Sequence, residues 1–360
     1  MKKTDYDYIF LGTGIISILE AVYQERCGKK VLMIDKDSDI GGAWRPINIF
    51  NSKKVENAIH YFLHDDKSFS FMKENLGWNI IETKNKLRLL SIFSNKKYLK
   101  FKFNNPIGRF ISLMINNNGS LKKNNIKYIF STINKIRKEH NQKSYYIKEG
   151  AKKIYSTAKV LLDKSKVVVL FKTHIKSFNV DRKKKMVELF SENQTFRCKR
   201  LIITHGSRIR EIKGNSDLFK IDEKYHPRPA VHLLVKDSLI LSVKQWIFTN
   251  HNLIKYVHDI TDISNNTKKG YKILVLALHH ENKESRLIYK KIFQELIKAK
   301  ILSKKAELSD WKWTDVHLPT LYDKDLEKIK NNFHPYIDFL KTENFSRGIG
   351  IYSKKWSTKI

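Results

Sequence analysis

The stretch from Tyr8 to Val22, YIFLGTGIISILEAV, decides the fold of this chain. An apolar run from Tyr6 to Leu11 predicts a buried strand, the glycines after it predict a tight turn, and residues 15–26 have the apolar spacing of a helix. Gly28 then ends the helix, and KVLMID, from Lys30 to Asp35, predicts a second strand. This order of strand, helix and strand predicts a parallel β-α-β unit at the start of an α/β fold.

The sequence Gly12-Thr13-Gly14 lies where the first strand meets the helix. A Gly-x-Gly turn at a helix N-terminus offers backbone N–H groups and the positive end of the helix dipole, which suits a pyrophosphate. Gly12 permits the tight turn, and Gly14 leaves room for phosphate oxygens. Ser17 stands where such a loop usually has a third glycine or an alanine. On these residues alone, a dinucleotide-binding loop and an ordinary strand-to-helix turn are equally good interpretations.

Asp35 ends the second predicted strand, 23 residues after Gly12. A carboxylate at this position can accept hydrogen bonds from ribose hydroxyls, and it would repel a 2′-phosphate. The alternative interpretation is that Asp35 caps a turn at the end of the strand. The spacing favours the nucleotide-binding interpretation of the glycine turn.

A pair of glycines, Gly41-Gly42, follows Asp35 within DKDSDIGGAWRP. Adjacent glycines let the backbone pass very near a bound cofactor, and a simple nicotinamide-binding domain does not need them. With these motifs the sequence resembles the FAD-dependent amine oxidase superfamily, which includes protoporphyrinogen oxidases, phytoene desaturases and UDP-galactopyranose mutases. Such proteins typically have Gly-x-Gly-x-x-Gly, an acid at the end of the second strand, and a double glycine six residues beyond it.

The resemblance implies FAD as the cofactor and assigns contacts to the matching residues. The residues of the pyrophosphate loop would be Gly12, Thr13, Gly14 and Ser17. Asp35 would hold the adenosine ribose, with Lys36 beside it. The residues along the pyrophosphate, the ribityl chain and the flavin would be Gly41, Gly42, Ala43 and Trp44.

A second block, residues 146–207, resembles the next segment of these proteins: a helix, a strand (VVVLF), three antiparallel strands and a small-residue turn. By this resemblance His174 and Ile175 would touch the adenine through their backbone, and Gly206 would close the cofactor site. The segment VENAIHYFLHDD matches the part of the family that passes under the flavin. It makes His60 the candidate catalytic residue, and a histidine packed in the core is the alternative.

The predicted fold class is α/β, with a discontinuous Rossmann-like FAD-binding domain and an inserted α+β substrate domain. Residues 1–60, 146–215 and 341–360 are assigned to the FAD-binding domain. Residues 61–145 and 216–340 are assigned to the substrate, or cap, domain.

The net charge of +34 raises the question of a nucleic-acid partner. Only 13 of the 70 basic residues are arginine, and the lysines are spread along the whole chain. This pattern is typical of a lysine-rich surface encoded by an AT-rich genome, so no specific nucleic acid is predicted. An anionic small-molecule substrate and weak contact with an anionic membrane surface are the partners that the charge favours.

Targeting signals and metal-binding motifs do not stand out in the sequence. Met1-Lys2-Lys3 leads into acidic residues instead of an apolar segment, and no apolar run has the length of a membrane span. The two cysteines, Cys27 and Cys198, lie in unrelated contexts, so neither a disulfide framework nor a metal site is predicted. We expect a cytoplasmic protein.

The expected function is that of an FAD-dependent oxidoreductase or a flavin-dependent isomerase acting on a small metabolite. A nucleotide sugar or a glycan precursor is the first candidate, and the flavin N5 would be the reactive centre. The competing expectation is a non-catalytic scaffold of the same fold that has lost cofactor binding. Ser17 and the end of the sequence at Ile360, where the family usually continues with a turn and a helix, favour this alternative. A basic nucleic-acid-associated protein is a third possibility.

Overall fold

The structure, a computed structural model, describes residues 5–57, 62–63, 65–82, 88–94, 97–102, 144–204, 211–214, 218–220, 224–240, 245–249, 253–264, 268–278, 284–306, 310–320, 327, 329, 331–340, 349–352 and 355–356. The described helices are α1 (Ile15–Arg26), α2 (Asp66–Glu74), α3 (Gly150–Asp163), α4 (Thr261–Ser264) and α5 (Arg286–Lys298), with 3-10 turns at Gly42–Trp44 and Asp237–Leu239.

The described strands form two large sheets and two small ones. In chain order they are β1 (Asp5–Leu11), β2 (Val31–Ile34), β3 (Ile47–Ile49), β4 (Ser52–Val55), β5 (Phe62–Leu63), β6 (Ile80–Glu82), β7 (Arg88–Ser94), β8 (Lys97–Lys102), β9 (Ser144–Ile147), β10 (Val168–Leu170), β11 (Ser177–Asp181), β12 (Met186–Phe190), β13 (Thr195–Thr204), β14 (Glu211–Gly214), β15 (Leu218–Lys220), β16 (Lys224–Lys236), β17 (Gln245–Thr249), β18 (Ile254–Asp259), β19 (Tyr271–Leu278), β20 (Asp310–Thr320) and β21 (Ile337–Leu340).

The first large sheet has the order β10-β2-β1-β13-β12-β11-β14-β15, and β21 also pairs with β13. Strands β10, β2, β1, β13 and β21 run parallel to their neighbours, as in a Rossmann-like core. The predicted β-α-β unit is therefore present, and helix α1 begins and ends at the residues that its apolar spacing indicates. Strands β11, β12 and the first half of β13 form the predicted antiparallel insertion. These observations confirm an α/β fold with a parallel sheet.

Helices α1 and α3 cover one face of this sheet and pack against each other. The first turns of α1, from Ile15 to Val22, are buried on all sides, because the helix lies between the sheet, α3 and the C-terminal residues 349–352 and 355–356. The opposite face of the sheet carries a second core that includes Leu32, Val180 and Ile337. Parallel strands covered on both faces are expected to be apolar throughout, as β2 is.

One detail of the first sheet differs from the sequence prediction. The run VVVLF predicts a strand covered on both faces, and β10 does contribute Val169 to one core and Leu170 to the other. However, β10 ends the sheet, and the side chain of Val168 is 45% exposed. The apolar pattern identifies the strand, but it does not reveal that its outer edge lacks a neighbouring strand among the described residues.

The second large sheet has the order β20-β16-β19-β18-β17-β7-β8 and is antiparallel except for the pair β17 and β7. Helix α5 covers one of its faces through a core that includes Val231, Leu276 and Ile292. The other face meets the β3–β4 hairpin, where Ile49 and Val55 pack against residues of β16 and β19. The second sheet therefore packs against the β3–β4 hairpin, which follows the candidate glycine motifs in the sequence.

The predicted domain boundaries remain a prediction. Strands β15 and β21 belong to the first sheet, and β16 to β20 belong to the second. In the part of the chain that the structure describes, no helix is both long enough and apolar enough to cross a bilayer.

Candidate functional site

The turn between β1 and α1 requires glycine at its first position. Gly12 has a φ of +104°, and a Cβ at this residue would collide with the Oγ1 atom of Thr204. Thr204 lies on the neighbouring strand β13 and donates a hydrogen bond from Oγ1 to the carbonyl oxygen of Leu11 at 2.6 Å. The side chain of Thr204 thus fixes the backbone where β1 ends, and only glycine fits beside it.

The N-terminus of α1 is open. Gly14 is the N-cap residue, its φ is −65°, and a Cβ built on it would meet no atom of the described residues within 4 Å. Among the described residues no side chain caps this helix, and its first turn contains no acidic residue. The first backbone N–H groups of a helix lack partners within the helix, and together with the dipole they attract an anion. The open space at Gly14 lies directly at these groups.

The carboxylate of Asp35 fastens the turn to the end of β2. Its Oδ2 atom accepts hydrogen bonds from the backbone N–H of Thr13 at 2.8 Å and from the Thr13 hydroxyl at 2.5 Å. Its Oδ1 atom accepts one from the backbone N–H of Asp37 at 2.9 Å. A carboxylate has about four lone-pair positions, so these bonds leave about one for a further donor. Asp35 therefore stabilises the turn, as the alternative interpretation of the sequence expects, and it retains about one acceptor position.

The double glycine, Gly41-Gly42, lies against the turn between β1 and α1. The N–H of Gly41 donates to the carbonyl oxygen of Thr13 at 2.9 Å, and Gly41 and Gly42 have φ values of +113° and +53°. A Cβ on Gly42 would lie 3.7 Å from the Cα of Gly14. The two glycine motifs, 28 residues apart in sequence, therefore form one surface with very little side-chain material.

The loop from Asp35 to Gly41 is held by the side chain of Arg45. Its guanidinium donates from Nη2 to the carboxylate of Asp37 at 2.8 Å and to the carbonyl oxygen of Asp39 at 2.8 Å, and from Nε to the carbonyl oxygen of Ile40 at 3.2 Å. Asp39 also accepts a hydrogen bond from the hydroxyl of Tyr155 in α3 at 2.9 Å. Burial raises the pKa of the Tyr155 hydroxyl, and the bond to Asp39 raises it further.

The segment after β10 lies beside Asp35, where the resemblance places the adenine. The backbone N–H of Thr173 donates to the carbonyl oxygen of Asp35 at 3.0 Å, and that of Lys172 donates to the carbonyl oxygen of Asp37 at 2.9 Å. His174 is exposed, whereas the side chain of Ile175 is buried in the core. Any contact of Ile175 with a ligand would therefore have to come from its backbone, as the family pattern implies.

The remaining predicted site residues fall into two groups. Ser17 is fully buried in α1, Lys36 and Trp44 are half-buried, and Ala43 lies in the 3-10 turn after Gly41. Two further candidates, His60 and Gly206, lie outside the described residues. The structure therefore brings together the Gly12-Thr13-Gly14 turn, Asp35, the double glycine and the segment of His174.

The sequence does not identify the role of Glu56 as a helix cap. Its Oε1 atom accepts a hydrogen bond from the backbone N–H of Ala151 at 2.5 Å, at the start of α3. A Cβ at Gly150 would collide with this carboxylate, so only glycine fits at residue 150 while the Glu56 side chain occupies this position. Glu56 and Ala151 are 95 positions apart, and no local pattern in the sequence names one as the partner of the other.

A buried histidine of the second sheet contacts the same segment. The Nε2 atom of His232, in β16, lies 2.9 Å from the carbonyl oxygen of Glu56, so the neutral ring donates from Nε2. Its Nδ1 atom is buried and has no hydrogen-bond partner among the described residues. Burial lowers the pKa of His232 to about 4, and the bond to Glu56 opposes this shift. His232 is thus a neutral link between the second sheet and the residue that follows the β3–β4 hairpin.

The described residues fit the pyrophosphate and ribose of FAD. The unfilled space at Gly14, the uncapped end of α1 and the acceptor position on Asp35 lie within one surface. Each offers what one part of the nucleotide needs: room, N–H donors and a carboxylate. In the described part of the chain, no group of three or more His, Cys, Asp or Glu side chains could hold a metal ion.

Solved structures share this fold over nearly the whole chain. A putrescine oxidase redesigned in its cofactor binding matches with a TM-score of 0.69 and 12% identity, over 99% of this chain and 99% of that chain. A reduced UDP-galactopyranose mutase matches with a TM-score of 0.69 and 12% identity, over 97% of this chain and 92% of that chain. Cyclohexylamine oxidase from Brevibacterium oxydans matches with a TM-score of 0.67 and 13% identity, over 99% of this chain and 98% of that chain.

At the level of sequence, no family model and no curated protein matches the chain. The structural matches show that the chain shares its fold with these oxidases and this mutase.

Proposed function

We propose that this chain binds FAD at the surface formed by the two glycine motifs and acts as an FAD-dependent oxidoreductase or a flavin-dependent isomerase. The observation that carries the proposal is the approach of Gly42 to Gly14 over the uncapped end of α1, with Asp35 beside it. The structural matches to oxidases and to a mutase support the same class of function.

Each part of the proposed site has a physical task. The first N–H groups of α1 would bind the pyrophosphate, and Gly14 and Gly42 would let it approach the backbone. Asp35 would accept a ribose hydroxyl, and Trp44, in the 3-10 turn, would lie towards the flavin. When bound, the flavin supplies a centre, N5, that can exchange a hydride with the substrate or attack an anomeric carbon. The protein's residues would orient the substrate and exclude water around that centre.

The proposed substrate domain, inserted in two pieces at residues 61–145 and 216–340, contains the second sheet. Its strands β16 and β19 pack against the β3–β4 hairpin, which follows the glycine motifs, and His232 of β16 bonds to Glu56 just after that hairpin. Arg228 is a further basic residue of this sheet, and it lies in β16 opposite Val316 of β20. With the net charge of +34, these features favour an anionic metabolite, with a nucleotide sugar or a glycan precursor first, in the cytoplasm.

The test is the visible absorption spectrum of the purified protein, together with a variant that fills the proposed site. Gly14→Trp has an ordinary φ and meets no neighbouring atom at Cβ, so we expect it to fold and to block the cofactor. The matched control is Lys159→Trp, on the exposed face of α3. Wild type and control should show the two visible bands of bound flavin. Gly14→Trp should be colourless, and it should unfold at the temperature of the flavin-free wild type.

Two outcomes would contradict the proposal. If Gly14→Trp retains its flavin, the site has been assigned to the wrong residues. If the wild-type protein is colourless and added FAD does not raise its unfolding temperature, the chain does not bind this cofactor. The second outcome would favour a non-catalytic scaffold of the same fold.

A further inference from the structure

Thr13 competes for the carboxylate that the nucleotide needs. Its side chain is fully buried, and its hydroxyl lies 2.5 Å from the Oδ2 atom of Asp35, which also accepts the Thr13 backbone N–H. Both lone-pair positions of Oδ2 are therefore taken by one residue. The Oδ1 atom has one of its positions filled by the N–H of Asp37. The carboxylate therefore has about one open acceptor position before a ligand binds. A carboxylate without these bonds could accept one hydrogen bond from each of the two ribose hydroxyls.

We propose that Thr13 determines the specificity of the nucleotide site: its hydroxyl limits Asp35 to a single ribose hydroxyl, bound at Oδ1. The inference rests on the proposed function and deepens it. It assigns a task to the middle residue of the Gly-x-Gly turn, which otherwise needs only to be small enough to fit. It also makes the two hydroxyls of the adenosine ribose unequal, because one bonds to Asp35 and the other does not.

The surroundings of Asp35 prevent the carboxylate from rotating to free a second position. The backbone N–H of Thr13 fixes Oδ2, and the backbone N–H of Asp37 fixes Oδ1. Asp37 is held in turn by Arg45 and by the N–H of Lys172. If the Thr13 hydroxyl turned away from Asp35, it would be left in a fully buried place, which is costly without a new acceptor. The arrangement therefore persists unless the hydroxyl is removed.

The experiment uses the full chain, freed of flavin, and measures binding of ADP, 2′-deoxy-ADP and 3′-deoxy-ADP by titration calorimetry. For the wild-type protein, one deoxy analogue should bind as tightly as ADP, and the other about tenfold more weakly. Thr13→Val removes the hydroxyl and keeps the size of the side chain. It should bind ADP about tenfold more tightly and lose about tenfold with either analogue. Thr13→Ser keeps a hydroxyl and should behave as the wild type does.

Each result decides between the proposals. If the wild-type protein loses affinity equally with both analogues, or if Thr13→Val binds ADP no more tightly, the role of Thr13 is wrong while nucleotide binding stands. If neither ADP nor FAD binds to the wild type or to any variant, the proposed function fails and this inference fails with it. The comparison of analogues on the wild-type protein does not depend on the folding of Thr13→Val.

Discussion

The carboxylate of Glu20, in α1, accepts a hydrogen bond from the hydroxyl of Tyr352 at 2.8 Å across 332 positions of sequence. The ammonium group of Lys355 donates to the same oxygen at 2.9 Å. Trp356 packs edge to face on Phe71 of α2, with ring centroids 5.7 Å apart. The C-terminal residues thus contact both α1 and α2, and they stabilise α1, the helix whose N-terminus is part of the candidate site.

We expect Tyr352→Phe to lower the free energy of unfolding by about 1–2 kcal/mol, because the buried Glu20 loses one of its donors. Urea unfolding at neutral pH measures the change. Tyr6→Phe is the matched control, since the Tyr6 ring is half-buried and is contacted by Lys30 through its face. Equal losses in the two variants would show that the hydrogen bond to Glu20 contributes nothing.

The local sequence was sufficient to predict the β-α-β unit and the individual strands of the insertion, because each element has its own apolar period and is bounded by turn residues. The antiparallel arrangement of the insertion followed from the family resemblance. The bounds of α1 follow from the glycine before Ile15 and from Gly28 after the helix. The partner of Asp35 could not be predicted in the same way. Any of several turn residues could have donated to that carboxylate, and only the three-dimensional turn selects Thr13.

Contacts between residues that are distant in the sequence also could not be predicted from it. Glu56 and Gly150 are far apart in the chain, and neither is surrounded by a pattern that names the other. Their contact depends on how the β3–β4 hairpin meets α3. The edge position of β10 is another such property, because an apolar strand has the same composition whether one neighbour or two lie beside it.

Gly150→Ala should be clearly more destabilising than Gly28→Ala. Both glycines have positive φ values, +53° and +77°, so both variants incur the strain of a left-handed conformation, about 1–2 kcal/mol. At Gly28 the new Cβ meets open space, but at Gly150 it collides with the Glu56 carboxylate and lies 2.6 Å from Ile263. The crowding should add about 1–3 kcal/mol to the loss at Gly150.

Thermal and urea unfolding of the two glycine variants provide the measurement. A third variant, Gly150→Ala combined with Glu56→Ala, should not recover full stability, because it leaves the start of α3 without its cap. Equal losses at Gly150 and Gly28 would mean that Glu56 moves away at no cost, and that the fit between the two residues is unimportant.

Arg45→Lys should loosen the loop between Asp35 and Gly41. Lysine keeps the positive charge, but it cannot donate at the same time to Asp37 and to the two carbonyl oxygens that the guanidinium now satisfies. We expect a loss of about 1 kcal/mol in the free energy of unfolding, since the site is partly exposed. We also expect faster amide hydrogen exchange at residues 37–41.

Hydrogen exchange followed by mass spectrometry separates this local effect from a global one. Arg182→Lys is the control, because Arg182 donates from an exposed position to the carbonyl oxygen of Asn332, far from the glycine motifs. If exchange in residues 37–41 is the same in the two variants, Arg45 does not organise the loop.

The final prediction concerns the stability that the protein loses at acid pH when the buried His232 is protonated. Its pKa is about 4 in the folded protein and 6.5 in the unfolded chain, so below pH 6.5 the unfolded state binds more protons. The stability that comes from the neutral ring is fully present above pH 6.5, and it is lost as the pH falls towards 4. The pKa difference corresponds to about 3 kcal/mol. Since His232 bonds to the carbonyl oxygen of Glu56, this loss should weaken the contact between the second sheet and the segment that follows the β3–β4 hairpin.

His232→Gln isolates the effect, because glutamine can donate to the same carbonyl oxygen and does not titrate. Urea unfolding at pH 7 and at pH 4.5 should show a smaller loss of stability for His232→Gln than for the wild type, even if the variant starts from a lower value at pH 7. His174→Gln replaces an exposed histidine and should follow the wild-type profile. If all three proteins lose the same stability between these pH values, protonation of His232 does not drive the acid response, and other groups must account for it.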